Sequence, residues 1–294
     1  MGARDLDDSP SAPAGGGDPS VFDLSVRDFE RVRRIILGLA GIDLSPSKQN
    51  MVYSRLSRRL RERNEESFES YLDRLERDSR FAQEERQEFV NSLTTNLTSF
   101  FREPHHFAVL ADFLRQSPAG APQRIWCAAA STGEEPYSIA MTAIEALGED
   151  CGVKILATDI DTQVLASAGR GVYGGQATTR TCGDQRLRRF FLRGTGPNDG
   201  MVRVRPEVAR RIEFAQLNLQ EAQWPLLARF GAPLDAVFCR NVMIYFNRAT
   251  QHEVLRRIAA ALRPGGLLFA GHSENFTDCR EWFALRGRTV YERL

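Results

Sequence analysis

The amino-acid sequence predicts an α/β protein. We expect a mostly parallel, doubly wound sheet, preceded by a small all-helical domain and carrying an inserted antiparallel β-subdomain. From about Arg124 onward, short apolar segments alternate with segments of helical periodicity, which is typical of a parallel sheet covered by helices on both faces. Residues 21–95 show helical patterns without a strand signal. Between 172 and 211 a hairpin pattern interrupts the alternation, and a hairpin inside a crossover must project from the sheet.

The composition is that of an ordinary globular protein. The 294 residues are 42% hydrophobic and 26% charged, and no apolar run approaches the roughly 18 residues of a membrane-spanning helix. A net charge of +1 argues against general nucleic-acid affinity and against binding to anionic membranes. Five scattered cysteines without a C-x-x-C pair indicate reduced thiols, and the four histidines lack metal-ligand spacing. We therefore expect a cytoplasmic protein without a metal site.

The first 95 residues divide into a tail and a helical domain. Residues 1–20 are rich in Asp, Ser, Pro and Gly, a composition typical of a disordered tail. In the domain that spans 21–95, Ser25 and Asp28 form a capping box ahead of an apolar stripe. Four helices are predicted: one that ends at Gly41, one from Pro46 to about Arg63, one that starts at Ser67, and one from Phe81 to Leu93.

Residues 96–294 are predicted to form the α/β domain. Arg263-Pro264-Gly265-Gly266 indicates a turn between its last helix and the following strand, and 283–293 indicate a closing antiparallel pair. Within it, 172–211 should form the β-subdomain, whose strand-like segments flank the turn Gly194-Thr-Gly-Pro-Asn-Asp-Gly200. The predicted parallel strands are 124–129, 153–158, 212–217, 234–239 and 267–271, and the predicted helices are 136–147, 161–168 and 250–262.

The segment from Arg124 to Tyr137 is the most informative part of the chain. An apolar strand runs into small residues and a glycine, then two carboxylates and a proline open a helix, and the next strand ends in Thr158-Asp159. A small-residue turn lets the backbone approach a ligand, and an acid that ends the second strand accepts hydrogen bonds from ribose hydroxyls. The chain has neither a G-x-G-x-x-G nor a G-x-x-x-x-G-K-[ST] motif for phosphates. S-adenosylmethionine, which carries ribose but no phosphate, is therefore the leading cofactor candidate.

Three segments that should line the cleft, one of which overlaps the segment just described, are distinctive in this order along the chain. They are Asn96-Leu-Thr-Ser-Phe-Phe-Arg-Glu103, Ala128-Ala-Ala-Ser-Thr-Gly-Glu-Glu-Pro-Tyr-Ser138 and Cys239-Arg-Asn-Val-Met-Ile-Tyr-Phe246. With them the chain, from about Val21 to Leu294, closely resembles the bacterial chemotaxis receptor glutamate methyltransferases, the CheR family. The resemblance implies a class I S-adenosylmethionine methyltransferase-like domain with a helical N-terminal domain and a β-subdomain.

The resemblance also implies a set of cofactor contacts, some of which have a second explanation. Asp159 can instead cap the helix after its strand, and Glu134 gains from the helix dipole alone. Asn96 and Thr98 can instead be helix caps. The implied cofactor contacts are Asn96, Thr98, Arg102, Ala128, Glu134, Asp159, Asn218, Leu219, Arg240 and Asn241.

The activity that the resemblance implies is methylation of chemoreceptor glutamates to 5-O-methyl esters, which adjusts receptor signalling during adaptation. A glutamate carboxylate, with an ordinary pKa near 4.3, is ionised at neutral pH and needs no general base. In agreement, the cleft motifs contain no histidine or lysine. Arg102 is the candidate for steering the carboxylate, although a salt bridge to the cofactor's own carboxylate explains it nearly as well. Tyr245 is the second candidate, with a core role as its alternative.

Substrate recognition is expected at two places. In the segment from Lys48 to Arg63, the positions Arg55, Arg58 and Arg59 lie opposite the apolar stripe. They complement the acidic receptor helix bundle that the resemblance implies as substrate, and a merely solvated helix face is the alternative. The glycine turn, with Gly194, Gly196 and Gly200, resembles that of family members whose β-subdomain holds a peptide from the receptor's C-terminus. An exposed hairpin edge can add such a peptide as a strand, and a decorative hairpin is the alternative. A monomer is the default expectation.

Two rival functions remain open at the level of sequence. The first is a methyltransferase for RNA or a small molecule, against which the near-neutral charge argues. The second is a binding module that senses cofactor or receptor without turnover. The intact motifs argue against the second.

Overall fold

A computed structural model describes residues 22–118 and 121–294, so the predicted tail at 1–20 lies outside the described residues. The helical domain has four helices, as predicted. Ser25 caps the first through a hydrogen bond from the Asp28 amide, and Gly41 ends it in a left-handed conformation with φ 72°. A short 3₁₀ turn from Pro46 to Lys48 precedes the second helix, which therefore starts three residues after the predicted Pro46. The helices are α1 (Val26–Ala40), α2 (Gln49–Glu62), α3 (Phe68–Arg77) and α4 (Ser79–Leu93).

One apolar core holds the four helices together. Val52, Leu56 and Leu60 form the predicted buried stripe of α2 and are fully inaccessible to solvent. They pack with side chains of α1, α3 and α4 in a single cluster. Because such short helices are marginal alone, this shared burial supplies most of the domain's stability.

The predicted α/β domain is confirmed. Its seven-stranded sheet has the order β6-β2-β1-β7-β8-β10-β9, and the first five of these strands are parallel. β10 runs antiparallel to β8 and β9, as the closing pair predicts. The strands are β1 (Gln123–Cys127), β2 (Val153–Asp159), β3 (Val172–Gly174), β4 (Phe191–Arg193), β5 (Met201–Val204), β6 (Ile212–Gln216), β7 (Leu234–Phe238), β8 (Leu262–Phe269), β9 (Phe283–Gly287) and β10 (Val290–Arg293).

The central strands are apolar on both faces. In β1, Ile125 and Cys127 face one core while Trp126 faces the other, which is why the strand shows no polar alternation. Helices cover both faces, although most are shorter than a mean helix. They are α5 (His105–Arg115), α6 (Glu134–Leu147), α7 (Thr162–Arg170), α8 (Gly175–Cys182), α9 (Asp184–Phe190), α10 (Pro206–Ala209), α11 (Pro225–Phe230) and α12 (Arg248–Ala261).

The strands of this domain differ from the prediction in two details, and α5, α8, α9, α10 and α11 are helices that the sequence analysis does not predict. β8 begins at Leu262, five residues before the predicted start. Leu262 already pairs with Leu234, and Leu267 pairs with Ala236, with the irregular residues 263–266 between the two pairs. The β-subdomain has the predicted hairpin of β4 and β5, but also a third strand, β3, on the other side of β5. β3 has only three residues, too few to show the polar and apolar alternation of a strand, so the sequence could not indicate it.

The helical domain packs against the carboxyl end of the sheet. The Asp43 amide donates to the Tyr245 carbonyl at 2.8 Å, and Ile42 forms an isolated antiparallel bridge with Phe246. On α4, Asn91 donates to the Thr162 hydroxyl at 3.0 Å. Within the described ranges no helix is long and apolar enough to cross a membrane.

Candidate active site

A partly open cleft of about 420 Å³ lies at the carboxyl ends of β1, β2, β6 and β7. The chain leaves β1 towards β2 on one side and later returns to β7 on the other side. Open α/β sheets bind ligands at such a switch point, and this volume lies in the usual range for small-molecule sites.

The turn after β1 brings backbone close to the cleft. Ser131 and Gly133 have positive φ values of 49° and 101°, and a Cβ on Gly133 would lie 2.8 Å from the Tyr173 hydroxyl and 2.9 Å from the Ala168 Cβ. Only glycine fits there without strain. Ala128 and Ser131 line the cleft, so a ligand meets backbone rather than bulky side chains.

Asp159 ends β2 at the floor of the cleft. Its carboxylate accepts from the Ser131 amide at 2.8 Å and from the Asp161 amide at 3.0 Å, and burial raises its pKa. The N-cap of α7 is Asp161, whose side chain accepts from the Gln163 and Val164 amides. The alternative that Asp159 only caps that helix is therefore wrong.

The loop after α4 forms the opposite wall. Asn96, Thr98 and Arg102 line the cleft. The Asn96 amide group donates to the Asp161 carboxylate at 2.8 Å, which joins this wall to the end of β2. α5 begins after Pro104 without a side-chain cap, so Asn96 and Thr98 are not its caps. The half-buried Arg102 donates to the Leu97 carbonyl at 3.0 Å.

Arg240 lines the cleft but its guanidinium bonds to the protein. It donates to Glu135 at 2.5 Å and to the Arg102 carbonyl at 2.6 Å, and it lies 3.4 Å from Glu103. A buried cation needs such partners. Arg240 therefore holds the backbone that carries Arg102.

Glu134 does not line the cleft in the structure, so its cofactor contact stays a prediction. Its carboxylate accepts from the Thr132 hydroxyl at 2.6 Å, and burial raises its pKa. Glu135 lines the cleft instead, paired with Arg240. Neighbouring helical residues point about 100° apart, and the carboxylate that lines the cleft here is that of Glu135.

The remaining predicted contacts come from two loops. Asn218 and Leu219 follow β6, and the Asn218 side chain donates to the Leu39 carbonyl of α1 at 2.8 Å. Asn241 and Tyr245 follow β7 and also line the cleft. Asn241 has a φ of 58°, a left-handed conformation that asparagine tolerates better than most residues. Nine of the ten predicted cofactor positions thus meet around one cleft, Glu134 being the exception.

Sequence reasoning missed the contribution of the helical domain. Ile42, Asp43, Leu44, Lys48 and Met51 line the cleft beside the sheet loops. The cleft therefore includes a lysine from outside the motifs, which themselves contain none. The segment between α1 and α2 has no periodic pattern. It reaches the cleft only through contacts with residues that are distant in the chain, so its position there could not be predicted from sequence.

Glu103, His105 and His106 form a cluster with the side-chain types of a metal site. The Glu103 carboxylate, however, already pairs with Arg240 and lies 3.1 Å from the His272 ring nitrogen. Burial, together with the nearby Arg240, lowers the pKa of His106 to about 4, so this ring is neutral. A divalent cation would face the Arg240 guanidinium at short range, and we assign none here.

The three arginines predicted for docking line one shallow depression beside α4. Arg58 is 82% exposed and pairs with Glu62. Arg55 donates to the Thr94 carbonyl at 2.5 Å. Arg59 is mostly buried and donates to the fully buried Glu85 at 2.5 and 2.7 Å. Docking by the three arginines stays a prediction, and Arg59 is already held by an interior carboxylate.

The glycine turn of the β-subdomain lies away from the cleft. A Cβ on Gly194 would lie 2.0 Å from the Asn198 carbonyl oxygen, while Gly196 and Gly200 have φ values of 58° and 81°. These glycines therefore set the shape of the hairpin. Peptide binding at the hairpin stays a prediction.

Comparisons with known proteins agree with this geometry. The family model of the CheR methyltransferase, SAM binding domain, matches residues 96–291, and that of the CheR methyltransferase, all-alpha domain, matches 27–94. The chain is 52% identical to the chemotaxis protein methyltransferase of Klebsiella aerogenes, over 91% of this chain and 90% of that protein. It is also 52% identical to chemotaxis protein methyltransferase 2 of Pseudomonas aeruginosa, over 92% of this chain and 94% of that one.

The mostly parallel sheet, the cleft at its switch point and the SAM-binding family model define an S-adenosylmethionine-dependent methyltransferase. The residues present fit that cofactor, because Asp159 can accept from ribose hydroxyls and the small side chains of Ala128 and Ser131 line the cleft beside it. Within this class, the chain belongs to the CheR family of chemotaxis methyltransferases.

Proposed function

We propose that the protein methylates glutamate side chains of chemoreceptors and gives glutamate 5-O-methyl esters. The observation that carries the proposal is the composition of the cleft wall. Arg102, Tyr245 and Lys48 lie there together, and among the described residues no histidine lines the cleft. Such a wall suits an acceptor that is already an anion, because a carboxylate with an ordinary pKa near 4.3 needs no proton removed.

The protein's contribution to the reaction is alignment and electrostatics. Bound S-adenosylmethionine supplies a methyl group on a positively charged sulfur. Arg102 orients the acceptor carboxylate through its planar fork, and the Tyr245 hydroxyl donates to the same group or lines the methyl pocket. Holding the reacting atoms in line provides the main part of the rate enhancement. Because charge cancels along the reaction, the apolar cleft wall also favours it by excluding water.

Docking of the receptor follows from the charge of α2. Arg58 projects into solvent and Arg55 lies beside it at the same depression, so both are placed to meet an acidic helical bundle. The β-subdomain adds a second contact, in which a receptor C-terminal peptide joins an edge of its three-stranded sheet. Such a tether raises the local enzyme concentration without changing the chemistry. We place the reaction in the cytoplasm, with a monomeric enzyme.

Transfer of labelled methyl groups to a receptor signalling fragment tests the proposal. We expect label that mild base releases as methanol, because an ester hydrolyses under conditions that leave N-methyl groups intact. A matched fragment with its surface glutamates replaced by glutamine should accept no label. Label that resists base, or that appears on RNA instead, would contradict glutamate esterification.

A further inference from the structure

Glu274 is a buried carboxylate in the turn after β8. Its side chain is 4% exposed and accepts four backbone hydrogen bonds. One oxygen accepts from the amides of Gly271 at 2.6 Å and Asn241 at 2.9 Å. The other accepts from Val242 at 3.0 Å and Met243 at 2.8 Å. Three of the four donors are thus consecutive residues of the loop after β7.

Three successive amides that point at one anion form a small anion-binding nest. In the loop at 241–246, these amides are turned inward, and without Glu274 they would be buried donors with no partner of their own. On the other side, Gln251 of α12 donates to the carbonyls of Met243 and Phe246, both at 2.9 Å. The loop is therefore fixed through its amides by Glu274 and through its carbonyls by Gln251.

Gly271 makes the close approach possible. A Cβ there would lie 2.3 Å from the Asn241 side-chain nitrogen and 2.9 Å from the Asn241 amide nitrogen. No side chain larger than hydrogen fits without moving Asn241. The same loop carries Asn241 and Tyr245 into the cleft wall, whereas Glu274 does not reach the cleft.

We propose that Glu274 is a positioning residue for methyl transfer, which acts by holding the 241–246 loop, and with it Asn241 and Tyr245, at the cleft. The inference rests on the proposed function. The loss should reach kcat through Tyr245 and, to a smaller extent, the KM for S-adenosylmethionine through Asn241, because most of the predicted cofactor contacts, Asp159 among them, lie on other elements and do not contact Glu274.

The test compares Glu274→Gln, Glu274→Asp and the control Glu281→Gln in receptor methylation. Glutamine keeps the size of the side chain but turns an NH₂ group against two amide donors, whereas aspartate keeps both acceptor oxygens. Glu281 is 60% exposed and offers the same chemical change outside the loop contacts. For Glu274→Gln we expect kcat to fall about tenfold or more, with the KM for S-adenosylmethionine within about threefold of the wild type. Glu274→Asp should recover part of kcat, and the control should match the wild type.

Thermal unfolding distinguishes a role of Glu274 in positioning the 241–246 loop from a role in the stability of the fold. If Glu274→Gln lowers only the unfolding midpoint, and kcat measured well below that midpoint is within about twofold of the wild type, the inference is wrong. A loss confined to the cofactor KM also overturns it.

If Glu274→Gln does not fold, Gly271→Ala decides, because its methyl displaces Asn241 with Glu274 intact: a similar loss of kcat supports the inference, and an unchanged kcat refutes it. Wild-type enzyme that fails to label the receptor would refute the proposed function instead.

Discussion

Two arginines of the cleft have different tasks, although sequence motifs assign both to the cofactor. Arg240 is buried and its guanidinium bonds to Glu135 and to the Arg102 carbonyl. Arg102 is half-buried, and its guanidinium donates to the Leu97 carbonyl. A guanidinium with several donors left over can still bind an incoming carboxylate. Arg102 is therefore the better candidate for a direct role in the reaction.

Replacing Arg102 with alanine should lower receptor methylation by about 100-fold or more, the usual scale for losing an oriented donor at a reacting group. The fold should survive, because the side chain is half-exposed and its removal leaves no buried charge. Activity and thermal unfolding measured together check this. Arg248→Ala, at a position 92% exposed and outside the cleft wall, is the matched control. Near wild-type activity of the Arg102 variant would remove the residue from this role.

The direction in which a single side chain points cannot always be predicted from sequence, and the pair Glu134 and Glu135 is an example. Asp159 could be assigned because the end of a parallel strand has a fixed place in the sheet. Glu134 could not be told from Glu135, since the helix start at this turn decides which carboxylate faces the cleft. Glu274 gave no signal either, because its four partners are backbone amides from a distant loop.

At the scale of elements, α2 combines a structural ion pair with an exposed cation. Arg59 neutralises Glu85, which is fully buried and also accepts from the Tyr71 hydroxyl at 2.9 Å. Arg58, one residue away, is in solvent. Periodicity places both opposite the apolar stripe, but only the packing of α4 against α2 explains why one of them is held inside.

This contrast predicts opposite outcomes for two neighbouring substitutions. Arg59→Ala should lower the free energy of unfolding by about 3 kcal/mol, because it leaves the buried Glu85 carboxylate short of a partner. Arg58→Ala should change it by less than about 0.5 kcal/mol but weaken binding to the receptor fragment. Chemical denaturation and a binding assay check both. Equal stability of the two variants would contradict the assignment of Arg59 to the core.

The β-subdomain allows a test of the tether. Gly194→Ala should disrupt the hairpin, since the new methyl would meet the Asn198 carbonyl oxygen. Methylation of a receptor fragment that ends in its C-terminal peptide should then fall to the level seen with a fragment lacking that peptide. The level without the peptide should be the same for variant and wild type, because the hairpin lies outside the cleft wall. If the variant still responds to the peptide, the hairpin is not the tether.

At the scale of the whole molecule, the two domains share one cleft. Sequence patterns predicted the helical domain, the parallel sheet and the inserted hairpin, because periodicity and turn chemistry are local. They did not predict that the segment between α1 and α2 closes the cleft, which depends on contacts such as that of the Asp43 amide with the Tyr245 carbonyl. The helical domain therefore lines the cleft, in addition to the docking role that we propose for α2.

A shared cleft has a consequence for hydrogen exchange. Adding the product S-adenosylhomocysteine should protect amides in residues 42–51 of the helical domain, as well as amides near Ala128 and Leu219, because all three segments line the same cavity. Ligand binding raises the free energy of local opening for every segment that the ligand contacts. Exchange followed by mass spectrometry, with and without the product, measures this. The outer surface of α3 lies outside the cleft and should keep its exchange rate, which makes it the internal reference. Protection near Ala128 without any at 42–51 would mean that the sheet loops bind the cofactor alone, and that the helical domain closes over the cleft without touching its occupant.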